Sequence, residues 1–317
     1  MNVKVGSLIP FQIADGALPR LREVLANMAE AGLDHAVIGD HVSFNGGFGV
    51  DGLVAAAAMV SAEPRLAACT SVYQLPLRHP VTVARQLSTI SGLAPGKLIF
   101  GVGLGGDNRH ELEVSGVDPK TRGRRMDECL EVITALLTGE PLTYEGEFFQ
   151  LDKAIIRPAP PEPVPILVGG RADAAFRRAA RWGHGYLGLW ISAARFAQAA
   201  AAVADLSSEF GRSGRYWQHG MTVWCGFGPD EQAARAVLVK TMERLYRQPF
   251  EKFEKYSPYG SPKRVAEFLA AYCDAGCTTF NLLTRAPSAV EGIEAVAEVQ
   301  QLLRKHVGAG DASVVVR

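Results

Sequence analysis

The chain is expected to fold as a single α/β domain, a (β/α)8 TIM barrel spanning residues 1–317. Two observations support this. Short apolar runs alternate with amphipathic helical stretches, and eight such runs can be counted. The length also suits a barrel of about 250 residues plus insertions, with roughly 75% of the unfolded surface buried in one core.

Residues 3–9 read as the first strand and 17–31 as a helix with Leu18, Leu21, Val24, Leu25 and Met28 on its apolar face. Residues 35–39 give the second strand, followed by an Ala-rich helix near 52–62, and residues 66–72 give the third. A helix over about 80–93 leads to the fourth strand, 98–103, and then to a helix at 121–138. Residues 165–168, 186–190, 221–227 and 278–283 complete the set. Each is a short apolar run bounded by Gly or polar residues, as in strands covered on both faces. Two segments interrupt the rhythm. Residues 139–164 carry Gly139, Gly146 and five prolines around Thr143-Tyr144 and Phe148-Phe149, which predicts a hairpin followed by an extended excursion. Residues 247–262 combine Pro249, Pro258, Gly260 and Pro262 with Phe250, Phe253, Tyr256 and Tyr259. They read either as an aromatic lid loop over the mouth or as a packed loop without a ligand. The tail, 308–317, is expected to fray.

Lys plus Arg and Asp plus Glu balance at 33 each, which argues against a broad nucleic-acid or membrane-binding field. The five cysteines lack paired C-x-x-C spacing and mostly sit in apolar segments, so they read as reduced core thiols, with no disulfide framework and no metal site. The first residues are already strand-like, and no segment reaches the ~20 apolar residues of a membrane span. A soluble, cytoplasmic protein is expected.

The candidate chemistry falls at strand ends, where a parallel barrel places its active site. Asp40-His41 ends the second strand; an imidazole there can exchange a proton near neutral pH, and the neighbouring carboxylate can orient it. Thr70-Ser71-Val72 ends the third strand. Gly101-Val102-Gly103-Leu104-Gly105-Gly106-Asp107 forms a glycine-rich turn that lets backbone approach a ligand, but it does not have the context of a dinucleotide fingerprint. After the fifth strand, Gly169-Gly170-Arg171 runs into a helix, whose free N–H groups and dipole would face an anion. The alternative is a tight turn that simply needs glycine. Trp190, ending the sixth strand, reads as an apolar wall for ring or substrate, or as core packing. His79, before Pro80, and His110, in a polar run, read as structural or surface residues.

Taken in order, several motifs resemble the bacterial luciferase-like superfamily of flavin and deazaflavin enzymes. These are Asp40-His41, Thr70-Ser71-Val72, Arg78-His79-Pro80, Gly101-Val102-Gly103, Asn108-Arg109-His110-Glu111, Gly123-Arg124-Arg125, Leu136-Leu137-Thr138-Gly139-Glu140-Pro141 and Val168-Gly169-Gly170. Gly39-Asp40-His41 is similar to the branch that uses coenzyme F420, whereas many FMN-dependent relatives carry Glu-His-His. The resemblance implies a (β/α)8 barrel with the cofactor ring at its C-terminal mouth and the phosphate near the fifth strand. It also implies a bulge with a non-proline cis peptide at Ser71-Val72. On this reading Asp40 contacts the cofactor, His41 lines the reacting face as catalytic acid or base, Gly103 lies near the ring or ribityl chain, and Gly169 with Gly170 binds phosphate. Arg171 is added from charge and position.

One departure is the stretch Gly103-Leu104-Gly105-Gly106, where sugar-phosphate dehydrogenases of this branch carry a Glu that transfers a proton. That activity is therefore in doubt; Asp107 is a candidate replacement, and Glu111 reads as a helix or salt-bridge residue. The expected function is F420-dependent hydride transfer involving a small, modestly apolar organic substrate. The alternatives are an FMN-dependent monooxygenase fed by a separate reductase and a non-catalytic flavin-binding protein. A homodimer is expected from the resemblance.

Overall fold

The computed structural model describes residues 2–9, 18–105 and 108–314. Eight parallel strands close into a barrel: β1 (Lys4–Leu8), β2 (His35–Ile38), β3 (Ala67–Gln74), β4 (Leu98–Gly103), β7 (Ile166–Gly169), β8 (Gly185–Leu189), β9 (Gly220–Gly226) and β10 (Thr279–Arg285). Between β4 and β7 lies the excursion, an antiparallel hairpin of β5 (Leu142–Glu145) and β6 (Gln150–Ala154). The carboxylate of Glu128 caps its turn by accepting from the backbone N–H groups of Glu147, Phe148 and Phe149.

Side chains of barrel strands alternate between the interior and the surrounding helices. Val37, Cys69, Ile99, Leu167, Leu187, Trp224 and Leu283 form one buried cluster, in contact with Trp190 and Tyr246. Their neighbours Ala36, Ala68, Phe100 and Val168 pack into the larger cluster with the helices. The helix Leu18–Glu30 buries Leu21, Val24, Leu25 and Met28, as its periodicity predicts, whereas Leu18 at its first position stays exposed.

The strands lie within about two residues of their predicted bounds. β3 runs on to Gln74, with a register shift against β4 between Thr70 and Tyr73. The C-terminal helix, Ala289–Val314, runs into the segment expected to fray.

Candidate active site

Asp40 follows β2 and is almost fully buried. Its Oδ1 accepts from the Gly52 N–H (2.9 Å) and from Arg78 Nη2 (2.6 Å); Oδ2 accepts from the Gln74 N–H (2.8 Å) and from Arg78 Nη1 (2.7 Å). Burial pushes this carboxyl above its ordinary value, against the pull of Arg78 and of the two backbone donors. Arg78 also lies over the Tyr73 ring, 4.4 Å from its centroid. Asp40 was expected to contact a cofactor. Although it borders the cavity, both its oxygens are taken up in tying the end of β2 to the end of β3 and to the start of the helix Gly52–Ala62.

His41 lines the cavity with its ring 4.3 Å from that of Phe44. Its Nδ1 lies 3.0 Å from Glu111 Oε2 and 3.1 Å from Gln74 Nε2. Glu111, on the helix Arg109–Val114, is 1% exposed, and its other oxygen accepts from the N–H groups of Val42 (2.7 Å) and Ser43 (3.1 Å). Burial pushes the Glu111 carboxyl up, but His41, the Ser43 N–H and Gln74 together outweigh it and hold the group below its ordinary value. Sequence reasoning gave Glu111 only a helix or salt-bridge role, quoted Arg78 within a family motif without a role, and assigned none to Gln74. All three converge on the Asp40-His41 end. Asp107 and Gly106 lie outside the described residues. His79 caps its helix by accepting from the Val81 N–H, and His110 is exposed.

The Ser71-Val72 peptide is cis, as the resemblance implied, and lies within the register shift of β3. Ser71 Oγ is 2.7 Å from Thr222 Oγ1 of β9, and Val72 faces Gly103 closely enough that no larger residue fits there without displacement. Both Ser71 and Val72 line the cavity, as does Gly103.

Gly169, Gly170 and Arg171 form another part of the wall, beside Arg122 and Arg178. The helix Asp173–Trp182 starts here, and its N-cap residue, Ala172, offers no side-chain acceptor. Its first backbone donors are thus open to an anion. Gly170 has φ 149°, and a Cβ there would meet the Ala175 methyl at 2.7 Å. The Tyr186 hydroxyl donates to the Gly170 carbonyl (2.7 Å) and fixes the turn. Arg178 is held by Asp127 (2.6 Å), whereas Arg171 is exposed. Arg122 and Arg178 were not anticipated, because each reads as part of a helical charge pattern.

Trp190 adopts φ 51° just after β8, with its ring 4.9 Å from Tyr246 and 4.7 Å from Phe253; its buried indole N–H has no partner among the described residues. Leu187, Leu189, Leu245, Tyr246 and Leu283 extend this apolar wall, and the cavity encloses about 440 Å³. Within the expected lid segment, Phe250, Phe253 and Tyr259 pack into the cluster behind the wall. The cavity itself meets the residues just before that segment, Leu245 and Tyr246.

A family profile described as luciferase-like monooxygenase matches residues 3–271. An uncharacterised protein of Mycobacterium tuberculosis is 40% identical over 139 residues, 43% of this chain and 48% of that protein. An F420-dependent glucose-6-phosphate dehydrogenase of Nakamurella multipartita is 33% identical over 172 residues, 53% of this chain and 51% of the relative. The chain thus spans about half the length of the curated relatives it matches. Among solved structures, an F420-dependent secondary alcohol dehydrogenase in complex with an F420-acetone adduct superposes with TM-score 0.83 at 19% identity, covering 96% of this chain and 100% of that one. The monooxygenase RslO1 from Streptomyces bottropensis superposes with TM-score 0.78, also at 19% identity, covering 97% and 99%. At such identities these superpositions establish a shared fold.

Proposed function

The chain belongs to the luciferase-like monooxygenase family, and within it we propose an F420-dependent oxidoreductase that transfers a hydride between the deazaflavin and a small organic substrate. The observation that carries this reading is one cavity with two chemically different ends. At one end His41 is backed by Glu111; at the other, an uncapped helix start, two glycines and three arginines suit a phosphate. Between them, Val72, Leu187, Trp190 and Leu283 offer apolar surface to a planar ring. The F420-dependent dehydrogenase among the relatives supports the choice of cofactor.

When bound, F420 would supply the two-electron hydride chemistry. His41 would take a proton at Nε2 from a substrate being oxidised, or return it to one being reduced. Gly169, Gly170, Arg171 and Arg122 would hold the phosphate. Asp40, whose oxygens already serve four donors, would act through the strand ends it joins. Trp190, Tyr246 and Leu245 would exclude water and favour a modestly apolar substrate. We carry the homodimer as part of this proposal.

Titration of the purified protein with F420 and with FMN tests the reading. Preferred F420 binding, with substrate-dependent change in deazaflavin absorbance under anaerobic conditions, is the expected result. Equal or stronger FMN binding would favour a monooxygenase using reduced flavin, a reading supported by the fold shared with RslO1. Tight F420 binding without turnover across a broad panel would point to a carrier.

A further inference from the structure

We infer that Glu111 is a positioning residue for His41, fixing the neutral imidazole as the Nδ1–H tautomer so that Nε2 is the unprotonated nitrogen. This deepens, and rests on, the reading of His41 as the group that moves the proton. Gln74 Nε2 carries two hydrogens and has three neighbours within bonding distance: the Asp40 carbonyl (2.9 Å), Glu111 Oε2 (3.2 Å) and His41 Nδ1 (3.1 Å). The first two only accept. Flipping the amide would set its oxygen against those same two acceptors, so the orientation is fixed. Both amide hydrogens are then used, and His41 Nδ1 must itself donate to Glu111 Oε2, 3.0 Å away. Nε2 is left with no protein partner among the described residues and keeps its lone pair.

The charges around His41 support this assignment. Asp40 is neutralised by Arg78, which also reaches Asp51 at 3.3 Å, and Arg122 lines the same cavity. Among the described residues, the one carboxylate in direct contact with the His41 ring is that of Glu111.

Glu111→Gln tests the role with almost no change in shape. The Val42 and Ser43 N–H groups require an acceptor, so the amide oxygen must face them and the NH₂ must face His41 Nδ1. The ring is then forced into the Nε2–H tautomer. Long-range 1H–15N correlation spectra of the imidazoles report the tautomer directly and need neither cofactor nor substrate, with His41 assigned by its absence in His41→Ala. Nδ1–H is expected in the wild-type protein and Nε2–H in E111Q. With F420 and substrate, turnover should fall by about 10²–10⁴-fold while F420 affinity stays within about threefold. An Nε2–H wild type, or an E111Q protein with the wild-type tautomer, overturns the inference. If E111Q does not fold, the wild-type spectrum decides, together with Gln74→Met: this variant removes the competing amide and should retain Nδ1–H, so a switched tautomer would overturn the role of Glu111. Failure to bind F420 with the expected tautomer intact would count against the proposed cofactor and leave the positioning role standing.

Discussion

A Cβ on Gly103 would lie 2.5 Å from Cγ2 of Val72, so the end of β4 and the bulge of β3 fit together only through a glycine. Gly103→Ala must displace Val72 or shift the strand end. We expect a stability loss of about 1–3 kcal/mol, typical of overpacking, with F420 affinity at least tenfold weaker because Val72 is part of the wall. Thermal unfolding and cofactor titration measure the two effects. An unaltered dissociation constant would show that Val72 does not shape the ring site.

Arg78→Met should be among the more destabilising single changes in the barrel. It leaves the Asp40 carboxylate buried without its cation, a situation that costs about 3–5 kcal/mol. Urea unfolding gives the value directly. A loss below about 1 kcal/mol would mean that the two backbone donors to Asp40 suffice.

Gly169→Asp should abolish F420 binding in a protein that still folds. The added carboxylate would take up room at the backbone donors and repel a phosphate. Its Cβ would sit 3.1 Å from the Val102 carbonyl, so Gly169→Ala is the control for steric effects alone. Circular dichroism and titration of both variants separate charge from size, and an Asp variant that binds like the Ala variant would remove this site.

His41→Ala should lower turnover by about 10²–10⁴-fold with cofactor affinity nearly unchanged. Steady-state kinetics and titration on the same preparation distinguish a chemical role from a packing one. Affinity that falls more than turnover would assign His41 to binding.

His184 and His219 predict acid lability. Their Nδ1 atoms accept from the backbone N–H groups of Ile166 (3.2 Å) and Tyr186 (3.1 Å), near the start of neighbouring strands. Burial lowers both to about 4, helped at His184 by Arg215 and Arg212. Well above the ordinary imidazole value of about 6.5 neither state binds the proton. As pH falls from there toward 4, the unfolded chain takes up protons that the folded one refuses, so stability drops, and it levels off once the folded histidines protonate. For His219 the loss by pH 4.5 should be on the order of 2 kcal/mol. His219→Gln, which keeps an acceptor but does not titrate, should flatten urea midpoints measured between pH 7 and 4.5; an unchanged slope would reject the assignment.

The barrel was legible because each strand is a short apolar run, and the anion-suited turn because Gly169-Gly170 precedes a helix. Glu111 was not. Asn108 and Glu111 have the spacing of a helix capping box, so a Glu there already has a local explanation. In the fold Asn108 does accept from the His110 N–H, but the Glu111 carboxylate turns away to residues 41–43, some seventy positions earlier in the chain. No local pattern reports such a contact. For Asp40 the motif was legible but its partners were not: its four donors come from positions 52, 74 and 78 and depend on how the barrel closes.

The residues proposed to handle the proton come from the ends of β2 and β3 and the segment after β4, whereas the glycine turn belongs to β7 and most of the apolar wall to β8 and the residues beyond it. A ligand reaching from His41 to Gly170 would therefore act as a tie between the early and late halves of a closed ring. Its binding energy would oppose the opening of the ring at any seam between them. Amide hydrogens in both halves, including those remote from the cavity, should then exchange more slowly together when the ligand is present, and the opening events seen in the free protein should merge into a single cooperative unit.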